Sequence, residues 1–242
     1  MSDKTTIEWT DATWNPITGC TQIGAGCDNC YALTIAERFR GTPAFPNGFD
    51  LTYRPHVLDQ PLKWKRPRKV FVNSMSDLFH KDIPKSYIDQ VFDVMEQADW
   101  HTYQMLTKRS SLMRDYLNQR YPMGMPNHIW PGVSVEDRKA LSRIGHLCEV
   151  KSHRRFISFE PLLEDLGSHL NLRGIAWAIV GGESGLGHRP INAVWVRHIR
   201  KACRFSGTAF FFKQWGGRSS KANGRELDGQ IFDEMPTLGA AA

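Results

Sequence analysis

Short runs rich in β-branched and aromatic residues alternate along this chain with segments of helical periodicity. The strand-like runs lie around residues 14–18 and then at 69–73, 102–106, 128–133, 155–158, 176–180 and 208–212. Apolar positions three and four residues apart predict helices over 30–40, 85–100, 110–120, 137–150 and 192–205. This alternation predicts a parallel sheet with crossover helices. The number of strands favours an α/β fold built as a full or partial (β/α) barrel over an open doubly wound sheet.

Compact polar groups follow almost every predicted strand, at residues 73–77, 107–109, 134–136, 158–160, 181–184 and 213–215. Because the carboxyl ends of the strands form the active-site face of an α/β barrel, these groups predict a lined site at one mouth. We expect Lys108, Glu160 and Lys213 to carry chemistry there, and Glu183 to contact a cofactor. The competing interpretation for the two glutamates is a buried salt bridge to an arginine or lysine across the barrel, since buried carboxylates need partners. Lys108 and Lys213 are candidates for this pairing.

A glycine-rich loop carries three closely spaced cysteines, Cys20, Cys27 and Cys30. Structural zinc usually has four protein ligands, so this set is one short unless His56 or His80 completes it. Three thiolates also suit a [4Fe-4S] cluster that leaves one iron free to bind a small molecule. Spacing alone leaves both interpretations open. Cys148 and Cys203 lie singly in helix-like segments, where we expect ordinary buried thiols.

The composition limits the class of protein. The chain has 242 residues, 41% of them hydrophobic, which suits one sizeable globular domain. We expect that domain over residues 1–215, followed by a polar, glycine-rich and loosely held extension over 216–242. No apolar run reaches the length of a membrane span, and the first residues do not resemble a signal peptide. A cytoplasmic protein without a membrane partner is expected, and clustered cysteines fit a reducing compartment.

The net charge of +6 is compatible with a nucleic-acid partner. Basic residues cluster at 63–69 and 151–155, and a further set shares one predicted helical face: Arg197, Arg200, Lys201 and Arg204. Cations near aromatic side chains hold nucleic-acid backbones in binders without sequence preference. The competing interpretation is a solvated surface, compensated by 25 acidic residues. Four tryptophans in strand-like contexts are expected to pack in the core rather than stack on bases: Trp9, Trp14, Trp130 and Trp177.

Four stretches carry a resemblance to a known family. They are Gly-Cys…Gly-Cys-x-x-Cys-Tyr-Ala at 19–32, Ser-Phe-Glu-Pro-Leu-Leu at 158–163, Gly-Gly-Glu-Ser-Gly at 181–185 and Phe-Lys-Gln-Trp-Gly at 212–216. Together they resemble a phage-associated three-cysteine-motif family over residues 7–236. That family is similar to radical S-adenosylmethionine enzymes, which hold a [4Fe-4S] cluster on the loop after the first strand of a partial barrel. The spacing differs, because six residues separate the first two cysteines here, where the radical enzymes usually have C-x3-C-x2-C.

The resemblance implies a function and a set of site residues. Cys20, Cys27 and Cys30 match the cluster ligands, and the strand-end residues implied to hold S-adenosylmethionine are Ser74, Ser76, Asp77, Ser134 and Glu136. The implied reaction is reductive cleavage of S-adenosylmethionine to a 5′-deoxyadenosyl radical, which abstracts hydrogen from a substrate at the barrel mouth. Such an enzyme needs an electron donor such as flavodoxin or ferredoxin. The alternative is a phage accessory protein that binds nucleic acid and uses zinc to stabilise its cysteine loop.

Overall fold

A computed structural model describes residues 5–236 of the chain. Its strands are β1 (Ala12–Trp14), β2 (Ile17–Thr18), β3 (Thr52–Tyr53), β4 (Lys69–Val72), β5 (Thr102–Thr107), β6 (Ile129–Ser134), β7 (Phe156–Phe159), β8 (Trp177–Gly181), β9 (Ala209–Gln214), β10 (Glu226–Leu227) and β11 (Gln230–Ile231). Its helices are α1 (Tyr31–Arg38), α2 (Gln60–Lys63), α3 (Lys85–Gln97), α4 (Ser110–Arg120), α5 (Ser142–Cys148) and α6 (Ala193–Ser206). The predicted strands and helices all appear, and residues 161–173 hold no helix.

One parallel sheet organises the described part of the chain. Its seven strands lie in the order β1-β4-β5-β6-β7-β8-β9, and every neighbouring pair is parallel. Strands β1 and β9 form the two ends of this sheet and do not pair with each other within residues 5–236. The sheet is therefore a partial barrel. The predicted α/β fold class, a partial (β/α) barrel of parallel strands, is confirmed.

The two faces of the sheet bury different side chains, because successive residues of a strand point to opposite faces. Val70, Val72 and Met105 belong to a large cluster with the apolar residues of α3, α4 and α6. On the other face lies a separate, mostly aromatic cluster: Trp9, Phe71, Trp130, Phe156, Trp177, Ile179 and Phe211. These side chains fill the interior of the half-barrel, and its polar side chains lie at the strand ends. The four tryptophans are all buried, which confirms the core-packing prediction.

The helix boundaries follow local chemistry. Helix α6 begins after Asn192, whose side chain accepts a hydrogen bond from the Val194 amide (2.8 Å). It ends at Gly207, whose φ of +68° belongs to the left-handed region that glycine adopts without strain. Among residues 5–236, no helix is long and apolar enough to cross a bilayer.

The segment after β9 folds back onto the barrel instead of trailing away. The Phe212 amide donates to the Phe232 carbonyl (2.9 Å), and the Trp177 indole donates to the Glu234 carbonyl (2.8 Å). Leu227 is fully buried. The prediction of a loosely held extension is therefore wrong for the part that the structure describes. The physical reason is that the returning chain pairs with the edge strand β9 and covers its unpaired backbone groups.

Candidate functional site

A cavity of about 1320 Å³ opens at the carboxyl ends of the parallel strands. All three clustered cysteines line it, together with the polar ends of β4, β5, β7 and β9. The predicted site residues that line it are Cys20, Cys27, Cys30, Ser74, Ser76, Asp77, Lys108, Ser134, Glu160, Glu183 and Lys213. The structure thus brings together every predicted site residue except Glu136, which lies behind the cysteine loop.

The strand-end serines hold the beginning of the cysteine loop. Ser76 donates from its hydroxyl to the Ile17 carbonyl (3.0 Å), and Ser74 donates to the side chain of Asn15 (3.2 Å). The Tyr31 hydroxyl, directly after the last cysteine, donates to the Ser74 carbonyl (2.6 Å). These contacts make both serines anchors of the loop, although the resemblance implied cofactor contacts for them.

Gly19 shows how closely this loop is packed. Its φ is +89°, and an added Cβ would lie 2.3 Å from the Asp50 carbonyl oxygen. Both the conformation and the space exclude any side chain at this position. The residue before Cys20 is therefore fixed by backbone packing, and this placement sets the direction in which the loop enters the cavity.

Asp77 is fully occupied by protein donors. Its carboxylate accepts hydrogen bonds from the Thr107 hydroxyl (2.7 Å), the Phe79 amide (3.0 Å) and the Lys108 amide (3.2 Å). Arg109 adds a charged hydrogen bond (2.9 Å) and also reaches the Cys20 sulfur (3.4 Å). A carboxylate with four donors has little capacity for an ammonium group of a ligand. Its contacts favour a structural role over the predicted cofactor contact.

Glu136 is buried beneath the cysteine loop and bound by two cations. It contacts the Lys108 ammonium and accepts from Arg143 (2.8 Å). A Cβ on Gly26 would lie 2.5 Å from the Glu136 side chain, so the loop rests directly on this residue. Burial lowers the pKa of Lys108 to about 8, and the nearby Cys27 thiol works against that shift. The cofactor role predicted for Glu136 is therefore not supported by its position.

Glu183 binds the cysteine loop at the end of β8. Its carboxylate accepts from the Asn29 amide group (2.9 Å) and from both the backbone and the side chain of Arg189 (2.9 Å each). Arg189 continues to the Ala25 carbonyl (2.8 Å) and to Asp28 (3.1 Å). Although burial opposes it, these hydrogen bonds lower the pKa of Glu183. Glu183 thus holds the loop. The competing interpretation of a salt bridge is confirmed for this residue, with Arg189 as the partner in place of the candidate lysines.

Glu160 and Lys213 face the cavity as an ion pair. The Lys213 ammonium lies 2.6 Å from the Glu160 carboxylate, and each side chain keeps about one fifth of its surface exposed. This confirms the competing interpretation of a salt bridge across the barrel. Because the pair lies on the cavity wall, it remains positioned to contact a ligand as well.

Asn73 is a site residue that the sequence analysis left without a role. It follows β4, lines the cavity, and is only 3% exposed. Both polar atoms of its side chain are buried and have no hydrogen-bond partner within residues 5–236, and its φ is +58°. Such unpaired groups and strained backbones are uncommon and concentrate at functional sites. The only sequence signal was its place at the start of a polar strand end.

The cysteines outside the loop behave differently from each other. Cys203 is buried, and burial raises the pKa of its thiol to about 12. Cys148 is exposed at the end of α5, so the prediction that it is buried is wrong. His56 lies away from the cavity lining, and both ring nitrogens of His80 are engaged, by Thr21 (2.8 Å) and the Asp82 amide (3.2 Å).

Two of the four cations on the basic face of α6 contact the returning extension. Arg197 pairs with Asp228 (2.6 Å), and the guanidinium of Arg200 lies 4.1 Å from the ring centre of Phe232. Both contacts hold the returning extension against the helix. These two arginines are therefore engaged within the protein, which weakens the prediction that this face guides a polyanion.

The fold and the site define a class of protein: a partial α/β barrel with a three-cysteine loop at the carboxyl ends of its strands. The chain belongs to the family described as "Protein of unknown function (DUF5131)", whose sequence model matches residues 4–236. Comparison with curated proteins gives no significant match.

Solved structures of spore photoproduct lyase are similar to this chain. A cysteine-to-serine mutant of that enzyme has a TM-score of 0.50 and 12% identity, and the match covers 84% of this chain and 63% of the lyase. The lyase complexed with dinucleoside spore photoproduct has a TM-score of 0.41 and 13% identity, covering 78% and 60%. At this identity the first match shows a shared fold, and the chain spans less than two thirds of the lyase's length.

Proposed function

We propose that this protein is an iron–sulfur enzyme of the radical S-adenosylmethionine type, acting on a nucleic-acid substrate. The observation that carries the proposal is that the thiols of Cys20, Cys27 and Cys30, all on one loop, line the same cavity. The side chain of Asn73, which has no hydrogen-bond partner within residues 5–236, lines this cavity as well. The partial barrel, with its loop after the first strand of the sheet, supports the same conclusion.

The number of thiols fits a cluster better than zinc. Structural zinc usually takes four protein ligands. His56 does not line the cavity, and both ring nitrogens of His80 are engaged by Thr21 and the Asp82 amide. Three thiolates suit a [4Fe-4S] cluster, which keeps one iron free for a small molecule. The donor set of Cys20, Cys27 and Cys30 therefore suits the cluster.

When bound, a cluster of this kind and S-adenosylmethionine supply a 5′-deoxyadenosyl radical to the substrate. The protein's own part is to hold and shield these groups. Arg189 and Glu183 fix the loop, while the aromatic floor of the half-barrel closes the cavity from below. Asn73 and Ser134 offer donors and acceptors to the cofactor, and Glu160 with Lys213 forms a charged wall toward the substrate. An electron donor such as flavodoxin or ferredoxin completes the proposed system.

Anaerobic reconstitution with iron and sulfide tests the proposal, followed by an assay for 5′-deoxyadenosine in the presence of a reductant. We expect about four irons and four sulfides per chain, as in a [4Fe-4S] cluster, and 5′-deoxyadenosine as a product. Cys27→Ala should abolish the cluster, whereas the matched control Cys148→Ala should keep it, because Cys148 lies outside the cavity. Stoichiometric zinc in place of iron would contradict the proposal and support the zinc-stabilised alternative.

A further inference from the structure

The segment after β9 forms part of the cavity wall. Arg218, Ser219, Ser220 and Lys221 all line the cavity and are exposed to solvent. They belong to the extension over 216–242 that the sequence predicts to be loosely held. Their position instead places two cations and two hydroxyl groups at the entrance of the site.

This part of the extension is a loop that hydrogen bonds hold in place. The Trp215 amide donates to the Gly224 carbonyl (3.0 Å), which closes the loop, and Asn223 donates to the Gly216 carbonyl (3.0 Å). The Gly217 amide also donates to the carbonyl of Glu183 (3.0 Å). Gly216 could not be replaced, because a Cβ there would lie 2.1 Å from that same carbonyl oxygen. The backbone that carries Arg218 and Lys221 is therefore fixed to the end of β8, where Glu183 also holds the cysteine loop.

Within residues 5–236, Arg218 and Lys221 form no ion pair, whereas Lys108, Arg109 and Lys213 at the same cavity each pair with a carboxylate. Cations that line a cavity without a protein partner are suited to an anionic ligand. A phosphate group, with its several acceptor oxygens, matches an arginine, a lysine and two adjacent hydroxyls.

The cysteine-loop side of the same cavity has the opposite character. Ile23, Tyr31 and Ile35 line it and are 44%, 50% and 39% exposed. The Tyr31 ring is held in place through its hydroxyl bond to the Ser74 carbonyl. A fixed aromatic ring beside exposed aliphatic groups provides a surface on which a nucleobase can stack, since base–aromatic stacking is tolerant of sequence.

We propose that the cavity mouth binds a nucleotide of single-stranded or locally opened nucleic acid, with Arg218 and Lys221 holding a backbone phosphate and Tyr31 contacting the base. This inference deepens the proposed function and rests on it for the identity of the reaction. A paired base within a duplex cannot enter such a pocket, because enzymes that act on bases take them out of the stack. The ligand class is thus an unpaired nucleotide with its phosphate.

Binding of a fluorescein-labelled single-stranded oligonucleotide to the full-length protein, measured by anisotropy across a salt series, tests the inference. The double variant R218E/K221E should weaken binding at low salt by about tenfold or more, and should reduce the slope of log K against log salt by about 0.7, the contribution of one phosphate in a single strand. The matched control is K201E/R204E, which changes the charge equally on exposed residues of α6 outside the cavity. The control should leave the slope unchanged.

A second variant separates base contact from charge. Tyr31→Ala should lower affinity several-fold without altering the salt slope, since stacking does not release counterions. Equal losses in R218E/K221E and K201E/R204E would overturn the inference, as would duplex binding that is tighter than single-strand binding. The iron and sulfide content of the same samples distinguishes the failure of this inference from the failure of the proposed enzyme function. Cluster formation with no effect of R218E/K221E contradicts only this inference, and cavity-dependent binding without a cluster contradicts only the proposed enzyme.

Discussion

Glu183 and Arg189 are joined three ways, through the backbone amide of Arg189 and through two nitrogens of its guanidinium. Glu183 lies at the end of a buried strand, and its side chain is only 4% exposed. Arg189 extends from this pairing to the backbone of Ala25 and to Asp28. Because both of those residues lie between Cys20 and Cys30, the pair controls how firmly the cysteine loop is held.

Arg189→Ala is therefore expected to release the cysteine loop without unfolding the barrel. Removing one partner of a buried ion pair costs about 3–5 kcal/mol, and partial exposure of Arg189 should place this case at the lower end. Hydrogen exchange should rise over residues 20–30, and a reconstituted protein should lose iron faster. Arg197→Ala removes an exposed pair with Asp228 and serves as the control. Unchanged exchange in the loop would mean that other contacts hold it.

Asn73→Gly should separate stability from binding. The backbone at this position has a φ of +58°, which glycine adopts freely, and the change removes two buried polar atoms without partners. We expect an equal or higher Tm by calorimetry, together with about tenfold weaker binding of S-adenosylmethionine, the effect of losing a contact worth roughly 1.5 kcal/mol. Asn73→Ala is the comparison, since it loses the same contacts but keeps the backbone strain. Normal binding by both variants would remove Asn73 from the site.

The Glu160–Lys213 pair can be tested by a double-mutant cycle. Lys213→Met leaves a mostly buried carboxylate unpaired, so it should be clearly destabilising, whereas the double variant E160Q/K213M should recover part of the loss. Contacting pairs of this kind show coupling of about 0.5–3 kcal/mol in urea unfolding. If the pair also contacts the ligand, oligonucleotide binding or turnover stays low in the double variant. Recovery of both stability and turnover would make the pair purely structural.

His101 should make the fold sensitive to mild acid. Its Nδ1 accepts from the Arg68 amide (3.1 Å) and its Nε2–H donates to the Pro61 carbonyl (3.0 Å), so it is buried in the neutral form. Burial lowers the pKa of His101, nearby Arg68 adds to the effect, and the Pro61 hydrogen bond opposes it. The unfolded chain, with a pKa near 6.5, therefore binds a proton that the folded state does not.

Stability should accordingly be complete above about pH 6.5 and fall as the pH decreases, by at most about 1.4 kcal/mol per pH unit for each such group. Burial also lowers the pKa of His80, which adds a contribution of the same sign. His101→Gln should reduce the slope between pH 7 and pH 5 in urea unfolding. An unchanged slope in this variant would show that His101 is protonated in the folded protein.

Local sequence patterns were sufficient for much of the architecture. Alternating strand and helix periodicities predicted the parallel sheet, because each element is specified by which of its own residues are apolar. The strand that contains Trp177 and the helix that contains Val196 were located in this way. The three-cysteine loop was equally evident, since Cys20, Cys27 and Cys30 lie within one short segment of the chain.

The roles of the polar strand ends were decided only by the tertiary structure. Ser76, Asp77 and Glu183 look alike in sequence, as polar residues after a strand, yet each is used to hold another part of the protein. Asp77 depends on Arg109, and Ser76 depends on Ile17, both distant along the chain. Asn73 lacks such a partner and faces the cavity. A polar side chain's role depends on whether the fold brings it a partner, and periodicity along the chain carries no information about partners that arrive from other strands.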